Sequence, residues 1–202
     1  MVLLTMGMKL VDQGAIIAGP PCSLFVSACA SVHKRSFQNL PGNLEVYKVR
    51  LANRIWLNFA CFLLVLHLAG RKPLALLEQP ASSWAFKQTW MVMVSEVLQM
   101  KQITTWMAFY GHDMHKCSHL LSNWSRLEDL ARTMYAADRI RFQVRFRERQ
   151  RRRKTKKIYK VDSVSKSGKR SWQGGKDLAS SAAYTPKFCQ AMYACWAKSK
   201  GE

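Results

Sequence analysis

A cysteine acts as a nucleophile where the backbone holds its thiol at a fixed, reachable point, and one of the six cysteines has such a context. Gly19-Pro20-Pro21-Cys22 follows directly on Gly14–Ala18, a short apolar, β-branched run. Paired prolines fix two backbone torsions and remove two donors, so they stop a strand and stiffen the turn after it. Cys22 would then stand at the mouth of a strand, held by Pro20 and Pro21; the plainer alternative is a tight turn before an ordinary buried cysteine. A second candidate is Glu78, in Leu76-Leu77-Glu78-Gln79-Pro80. Partial burial at the end of an apolar run would let this carboxyl donate or share a proton. Its plainer alternative is a solvated strand-end carboxylate or a helix cap. His112, His115, Cys117 and His119 gather ligand atoms within eight residues, but no Cys-x-x-Cys accompanies them and a zinc site is not expected. His33 and His67 stand alone.

The elements that must position these groups follow from periodicity and stop signals. Gly19-Pro20-Pro21 ends the first strand. Asn43 is placed to cap a helix from about Leu44 to Ala69, along which Val49, Ile55, Phe59, Phe62, Leu63 and Leu66 recur at helical spacing. Gly70 and Lys72-Pro73 terminate it. Leu74–Leu77 reads as a second buried strand, Thr89–Gln99 as a short helix and Ile103–Phe109 as a third strand closed by Gly111. Strand, helix, strand, helix, strand predicts an α/β fold with a parallel sheet and crossover helices. In such sheets ligands bind beyond the carboxyl ends of the strands. Three segments fall on that edge: Gly19–Phe25, Glu78–Ser83 and Tyr110–His119.

Beyond Asn123 the character changes. Arg126–Ala137 reads as a helix, whereas Arg139–Lys160 carries 12 Lys or Arg against one acid, Glu148. Its alternating Ile140, Phe142, Val144 and Phe146 predict a strand, and Phe142, Phe146 and Tyr159 could add base stacking. Ser163–Gly175 reads as a flexible Ser/Gly/Lys segment, and Thr185–Ala197 as a short closing helix. The domain organisation expected is 1–125 for the α/β part, 126–175 for the basic part and 176–202 for the closing helical part.

The chain has 202 residues, 49% of them hydrophobic, which permits a real core and excludes a wholly disordered protein. With 32 Lys and Arg against 12 acids the net charge is +20, and the expected partner is a polyanion, DNA or RNA. Arg151, Arg152, Arg153 and Lys154 lie at the densest point and would meet phosphates; Arg149–Lys157 also fits a nuclear import signal. Met1–Leu10 lacks a basic start, so no cleaved signal is expected. The apolar stretch Ile55–Ala69 is 15 residues long with Asn58 and His67 inside it, which favours a core helix over a membrane span. Scattered cysteines favour reduced thiols in the nucleus or another intracellular compartment.

The three edge segments, in this order, resemble those of the cytosine-specific DNA methyltransferases that methylate carbon 5. That family carries a Pro-Pro-Cys loop after one strand and a Glu-Asn-Val or Glu-Asn-Pro loop after the next, with one crossover helix between. Tyr110-Gly111-His112-Asp113-Met114-His115-Lys116 is similar to the family's following Tyr-Gly-x-x-x-x-Arg/Lys loop, and the likeness continues through Lys116-Cys117-Ser118 to Leu121-Ser122-Asn123. It covers roughly Gly14–Asn123.

The resemblance implies a partial Rossmann-like methyltransferase sheet. It implies that Cys22 attacks carbon 6 of a flipped cytosine, that Glu78 holds the ring at nitrogen 3, and that Lys116 contacts the DNA backbone. The methyl donor it implies is S-adenosylmethionine, and the basic stretch lies where the family inserts a DNA-recognition region. The family's Phe-x-Gly-x-Gly loop and acidic strand end, which hold that cofactor, have no counterpart: 13 residues precede Gly14. Ser23 stands in place of the family's Gln and Gln79 in place of its Asn, and the Pro-Gln of the third loop is absent. The expectation is therefore a truncated or catalytically impaired methyltransferase-like protein that retains nucleic-acid binding, with a partner chain as a possible source of the cofactor half. The alternatives are a non-enzymatic basic nucleic-acid-binding protein and a small membrane-associated protein.

Overall fold

The computed structural model describes residues 9–153, 159–164, 170–174 and 183–200. Met1–Thr105, Cys117–Ala131 and Ala191–Glu202 form one compact unit; Trp106–Lys116 and Arg132–Gln190 form a second. The chain is mixed α/β, with a four-stranded sheet ordered β1-β2-β4-β3.

In the first unit β1 (Ala15–Ala18) runs parallel to β2 (Leu74–Pro80), pairing Ala15 with Leu74 and Ala18 with Leu77. Between them lie a short helix α1 (Ala30–His33) and the long helix α2 (Tyr47–Leu68). The helix starts three residues later than expected, after Val46, because Asn43 spends its side-chain oxygen on the Glu45 N–H at 3.1 Å, inside the preceding turn. Its end is as expected. Gly70 takes φ +70°, its N–H meets the His67 carbonyl, and the Arg71 N–H reaches back to Leu66, a Schellman stop that favours glycine.

Helix α3 (Thr89–Val97) leads to β3 (Lys101–Trp106). The all-parallel sheet is corrected here. A fourth strand, β4 (Cys117–Ser122), not expected from the sequence, slots between β2 and β3 and runs antiparallel to β2. Its pairing extends β2 to Pro80, so Glu78 lies within the strand instead of after it.

Ala75, Leu77 and Leu121 pack on α2 and α3 through Trp56, Ala60, Leu63, Met91 and Val94, with Phe25 in the same core. Only one stripe of α2 is used: Val49, Ala52, Trp56, Ala60, Leu63 and Leu66 are buried, whereas Leu51, Ile55, Leu57, Val65 and Leu68 are exposed. The expectation of a core helix is met on that stripe alone. By length and composition α2 is also apolar enough to cross a membrane.

In the second unit α4 (Ala136–Arg153) overturns the strand expected at Ile140–Phe146. Arg, Gln and Glu between the apolar residues are good helix formers, and Asp138 in the first turn suits the positive helix end. The helix expected at Arg126–Ala137 is replaced by a 3-10 turn at Leu127–Leu130 and irregular chain. Strands β5 (Tyr159–Val164) and β6 (Arg170–Gly174) pair antiparallel, the second falling inside the segment expected to be flexible. The closing helix is present as α5 (Pro186–Ser199).

Candidate functional site

The Gly19–Cys22 turn leaves the carboxyl end of β1 and is held from three directions. Prolines offer no N–H, so the loop is anchored through its carbonyls. Gln79 Nε2 donates to the Pro20 carbonyl at 2.7 Å, Trp56 Nε1 donates to the Pro21 carbonyl at 3.1 Å, and the Cys22 carbonyl accepts from the Phe25 and Val26 N–H groups at 2.8 and 3.2 Å. Cys22 itself is half-buried. None of the six cysteines is in a disulfide. Burial raises the Cys29 and Cys117 thiols above the ordinary value and pushes Cys195 up to about 11, which holds those three protonated and poorly nucleophilic.

Glu78 is 5% exposed, and its Oε1 accepts the Ser118 hydroxyl at 2.5 Å. The antiparallel register opposes Glu78 to Leu120, so Ser118 is the diagonal neighbour on the same sheet face. Gln79 points to the other face. There its Oε1 accepts the Ser83 hydroxyl at 2.9 Å, while Nε2 reaches Pro20 and the Glu78 carbonyl. Ser83 bridges to Val26, and the Trp84 N–H donates to the Phe25 carbonyl at 2.9 Å, which zips the segment after β2 onto the segment after Cys22. One buried glutamine therefore ties the turn bearing Pro20, Pro21 and Cys22 to the strand end bearing Glu78.

Sequence reasoning missed Gln79, Ser118 and Trp56. It also missed a buried polar network behind the Cys22 turn. Arg35, 6% exposed, donates from Nε to Leu24 O (3.0 Å), from Nη1 to Leu40 O (2.6 Å) and from Nη2 to Asn53 Oδ1 (2.8 Å), with its guanidinium 4.0 Å over the Phe25 ring. Burial pushes Arg35 down to about 10, so it stays charged at neutral pH. His33 accepts the Arg35 N–H on Nδ1, which places its proton on Nε2, 2.9 Å from the Val26 carbonyl. Burial and the Arg35 charge hold His33 below its ordinary range, against the pull of that carbonyl. His119, opposite Gln79 in the β2–β4 register, is likewise held low, by burial and by Lys87.

Lys116 belongs to the second unit, where its carbonyl accepts the Met107 N–H at 2.9 Å and its ammonium lies 5.8 Å from the Tyr184 ring centroid. Tyr110-Gly111 forms a turn in that unit, with Gly111 at φ +82° and the Tyr110 ring 5.0 Å from Phe188. Among the described residues no three of His, Cys, Asp and Glu gather as a metal site. Arg151, Arg152 and Arg153 are the last residues of α4; Lys154 and the rest of the import-like run lie outside the described residues. Phe142, expected as a stacking residue, packs edge-on against Phe109 at 5.1 Å.

A nucleoside needs open backbone close to a glycine turn. Among the described glycines, a Cβ on Gly14 would lie 2.6 Å from Leu10 and one on Gly42 would lie 2.4 Å from the His33 carbonyl, whereas Gly70 and Gly111 are open turns at the end of α2 and after Tyr110.

The chain matches no family model, no curated protein and no solved structure.

Proposed function

We propose that this protein is a catalytically impaired relative of the carbon-5 cytosine DNA methyltransferases that retains nucleic-acid binding, with a partial Rossmann-like sheet as its scaffold. The observation that supports the reading is the Gln79 latch, which ties the Pro-Pro-Cys turn after β1 to β2, the adjacent parallel strand that also holds the buried Glu78 on its opposite face. The reading requires a nucleophile and a ring-holding carboxyl to approach one base together, the roles it gives to Cys22 and Glu78. Nucleic-acid affinity comes from the basic stretch: α4 alone holds eight Arg against Asp138 and Glu148. Those charges would release counterions from a phosphate backbone and bind it without regard to sequence. Lys116 would add a phosphate contact, and Arg149–Lys157 would direct the chain to the nucleus.

The chemistry left to the described residues is thiolate addition. Cys22 sulfur bonds to carbon 6, and the electron pair released from the ring double bond takes a proton at position 5; the reverse step restores the base. A duplex with 5-azacytosine tests this directly, because its ring nitrogen at position 5 is protonated and the adduct persists without methyl transfer. A covalent complex that Cys22→Ser abolishes is expected, and an adduct that survives Cys22→Ser would overturn the assignment. Calorimetry should find no micromolar binding of S-adenosylmethionine to this chain alone.

A second reading, attachment to a membrane surface, is favoured by one observation. Only 28% of the most apolar window of α2 is buried. Flotation with anionic vesicles, lost in Leu51→Glu/Val65→Glu, would carry that reading in place of the first.

A further inference from the structure

We infer that Phe37, Trp84 and Lys87 form a platform for an unstacked nucleobase and its phosphate, so that this edge of the protein takes single-stranded nucleic acid. The inference rests on the nucleic-acid reading above and specifies the form of polyanion involved.

Phe37 is 73% exposed, an unusual place for a phenyl ring. Its ring meets Trp84 edge-on with centroids 5.2 Å apart. The Lys87 ammonium lies 4.8 Å from the Phe37 centroid and 4.7 Å from that of Trp84, so a positive charge sits beside both rings. Base stacking on an aromatic face beside a phosphate-binding cation is how proteins hold single strands whatever their sequence. A duplex offers no free base face to such a pair of rings.

The platform is built in advance. Phe37 lies in the Ser36–Asn39 turn, which two backbone hydrogen bonds of 3.2 Å and the Ser36 hydroxyl close. On one side of that turn Arg35 is pinned to Leu24, Leu40 and Asn53; on the other, Gly42 at φ +76° backs onto the His33 carbonyl. Gln88 Nε2 also donates to Leu40 at 2.9 Å. Trp84 is fixed to the segment just after Cys22 through its N–H on Phe25. A rigid platform loses little conformational freedom on binding, so stacking energy is retained as affinity. The +20 charge of the chain suits a polyanion here, and Lys87 supplies the local charge.

The test is fluorescence anisotropy of the full chain with labelled oligothymidylate of about 20 nucleotides, against an abasic strand of equal length and charge. Wild type should prefer the base-bearing strand. Phe37→Ala should weaken oligothymidylate at least about fivefold and leave the abasic strand unchanged, and Phe37→Trp should restore the preference. Lys87→Gln should weaken both strands and lower the salt slope by about 0.7. Equal affinity of wild type for the two strands, or unchanged oligothymidylate binding in Phe37→Ala, overturns the platform while the nucleic-acid reading stands. Failure to bind either strand or a duplex overturns both. A Phe37→Ala effect confined to phosphatidylserine vesicles would assign the rings to a lipid surface and overturn the inference.

Discussion

Gln79→Leu should release the Cys22 turn while preserving the shape of the strand end. The side chain is 1% exposed, so leucine fills nearly the same volume and the loss is of hydrogen bonds. Two of these cross between segments: to the Pro20 carbonyl at 2.7 Å and from the Ser83 hydroxyl at 2.9 Å. Each is worth about 1 kcal/mol net. The Ser83 hydroxyl, 8% exposed, still accepts the Ala85 N–H but loses the acceptor for its own proton, which adds to the cost. The expected destabilisation is at least about 2 kcal/mol, read as a lower urea midpoint at unchanged slope. Were that energy to fall on local opening of the turn, Cys22 would be alkylated at least about thirtyfold faster under native conditions. Peptide mapping separates Cys22 from the exposed Cys61 and Cys189. Stability within about 0.5 kcal/mol of wild type together with an unchanged Cys22 rate would refute the latch.

Three further outcomes are expected. Arg141–Arg145, Arg145–Arg149, Arg147–Arg151 and Arg149–Arg153 are like-charge pairs four apart on α4, costing about 0.2–0.5 kcal/mol each. Helix content by circular dichroism should therefore rise on adding salt or DNA, and a flat response would contradict it. Replacing Arg151, Arg152, Arg153 and Lys154 with Ala should weaken unrelated duplexes alike and lower the salt slope by up to about four, with Cys22 alkylation unchanged; unaltered affinity would mean the run is a solvated tail or only an import signal. Burial holds His33 and His119 below the ordinary histidine value of 6.5, so the unfolded chain takes up protons the folded one refuses. Stability should be full above that value and decline as pH falls below it, and His33→Gln should flatten part of the decline measured by urea midpoints from pH 7.5 to 5.

What was legible in the sequence is what depends on apolar period and hard stops. The Gly14–Ala18 run, the Gly70 and Pro73 terminators and the Leu74–Leu77 run locate β1, α2 and β2 because burial and backbone freedom act on single residues. Strand β4 escaped because two of its fully buried positions are polar. Ser118 and Ser122 are fully buried, which is tolerable only because their hydroxyls meet Glu78 and the Ala75 carbonyl on β2. Those partners stand 40 and 47 residues away, so no local pattern could report them. Helix α4 escaped for the opposite reason. Ile140, Phe142 and Val144 alternate as in a strand, yet on the helix Ile140 and Val144 are exposed and Phe142 is half-buried against Phe109. Charge supplied no direction there, since arginine suits either element on a wet surface.

The candidate site divides along the same line. Cys22 and Glu78 were visible from their neighbours in the chain, whereas what fixes them was not: Gln79, Trp56 and the Arg35–Asn53 contact act across 18 to 59 residues. A buried arginine whose hydrogen bonds go to carbonyl-type oxygens costs desolvation that no opposite charge offsets at those contacts. Its three donors join the segment after Cys22, the turn carrying Phe37 and helix α2. Removing the charge with Arg35→Met leaves those acceptors unsatisfied and frees both segments together. Loss of Cys22 protection and loss of the oligothymidylate preference should then appear in the same variant. Each measured alone speaks only for its own segment; their joint loss would mean that one buried cation sets the geometry of the nucleophile turn and of the stacking surface beside it.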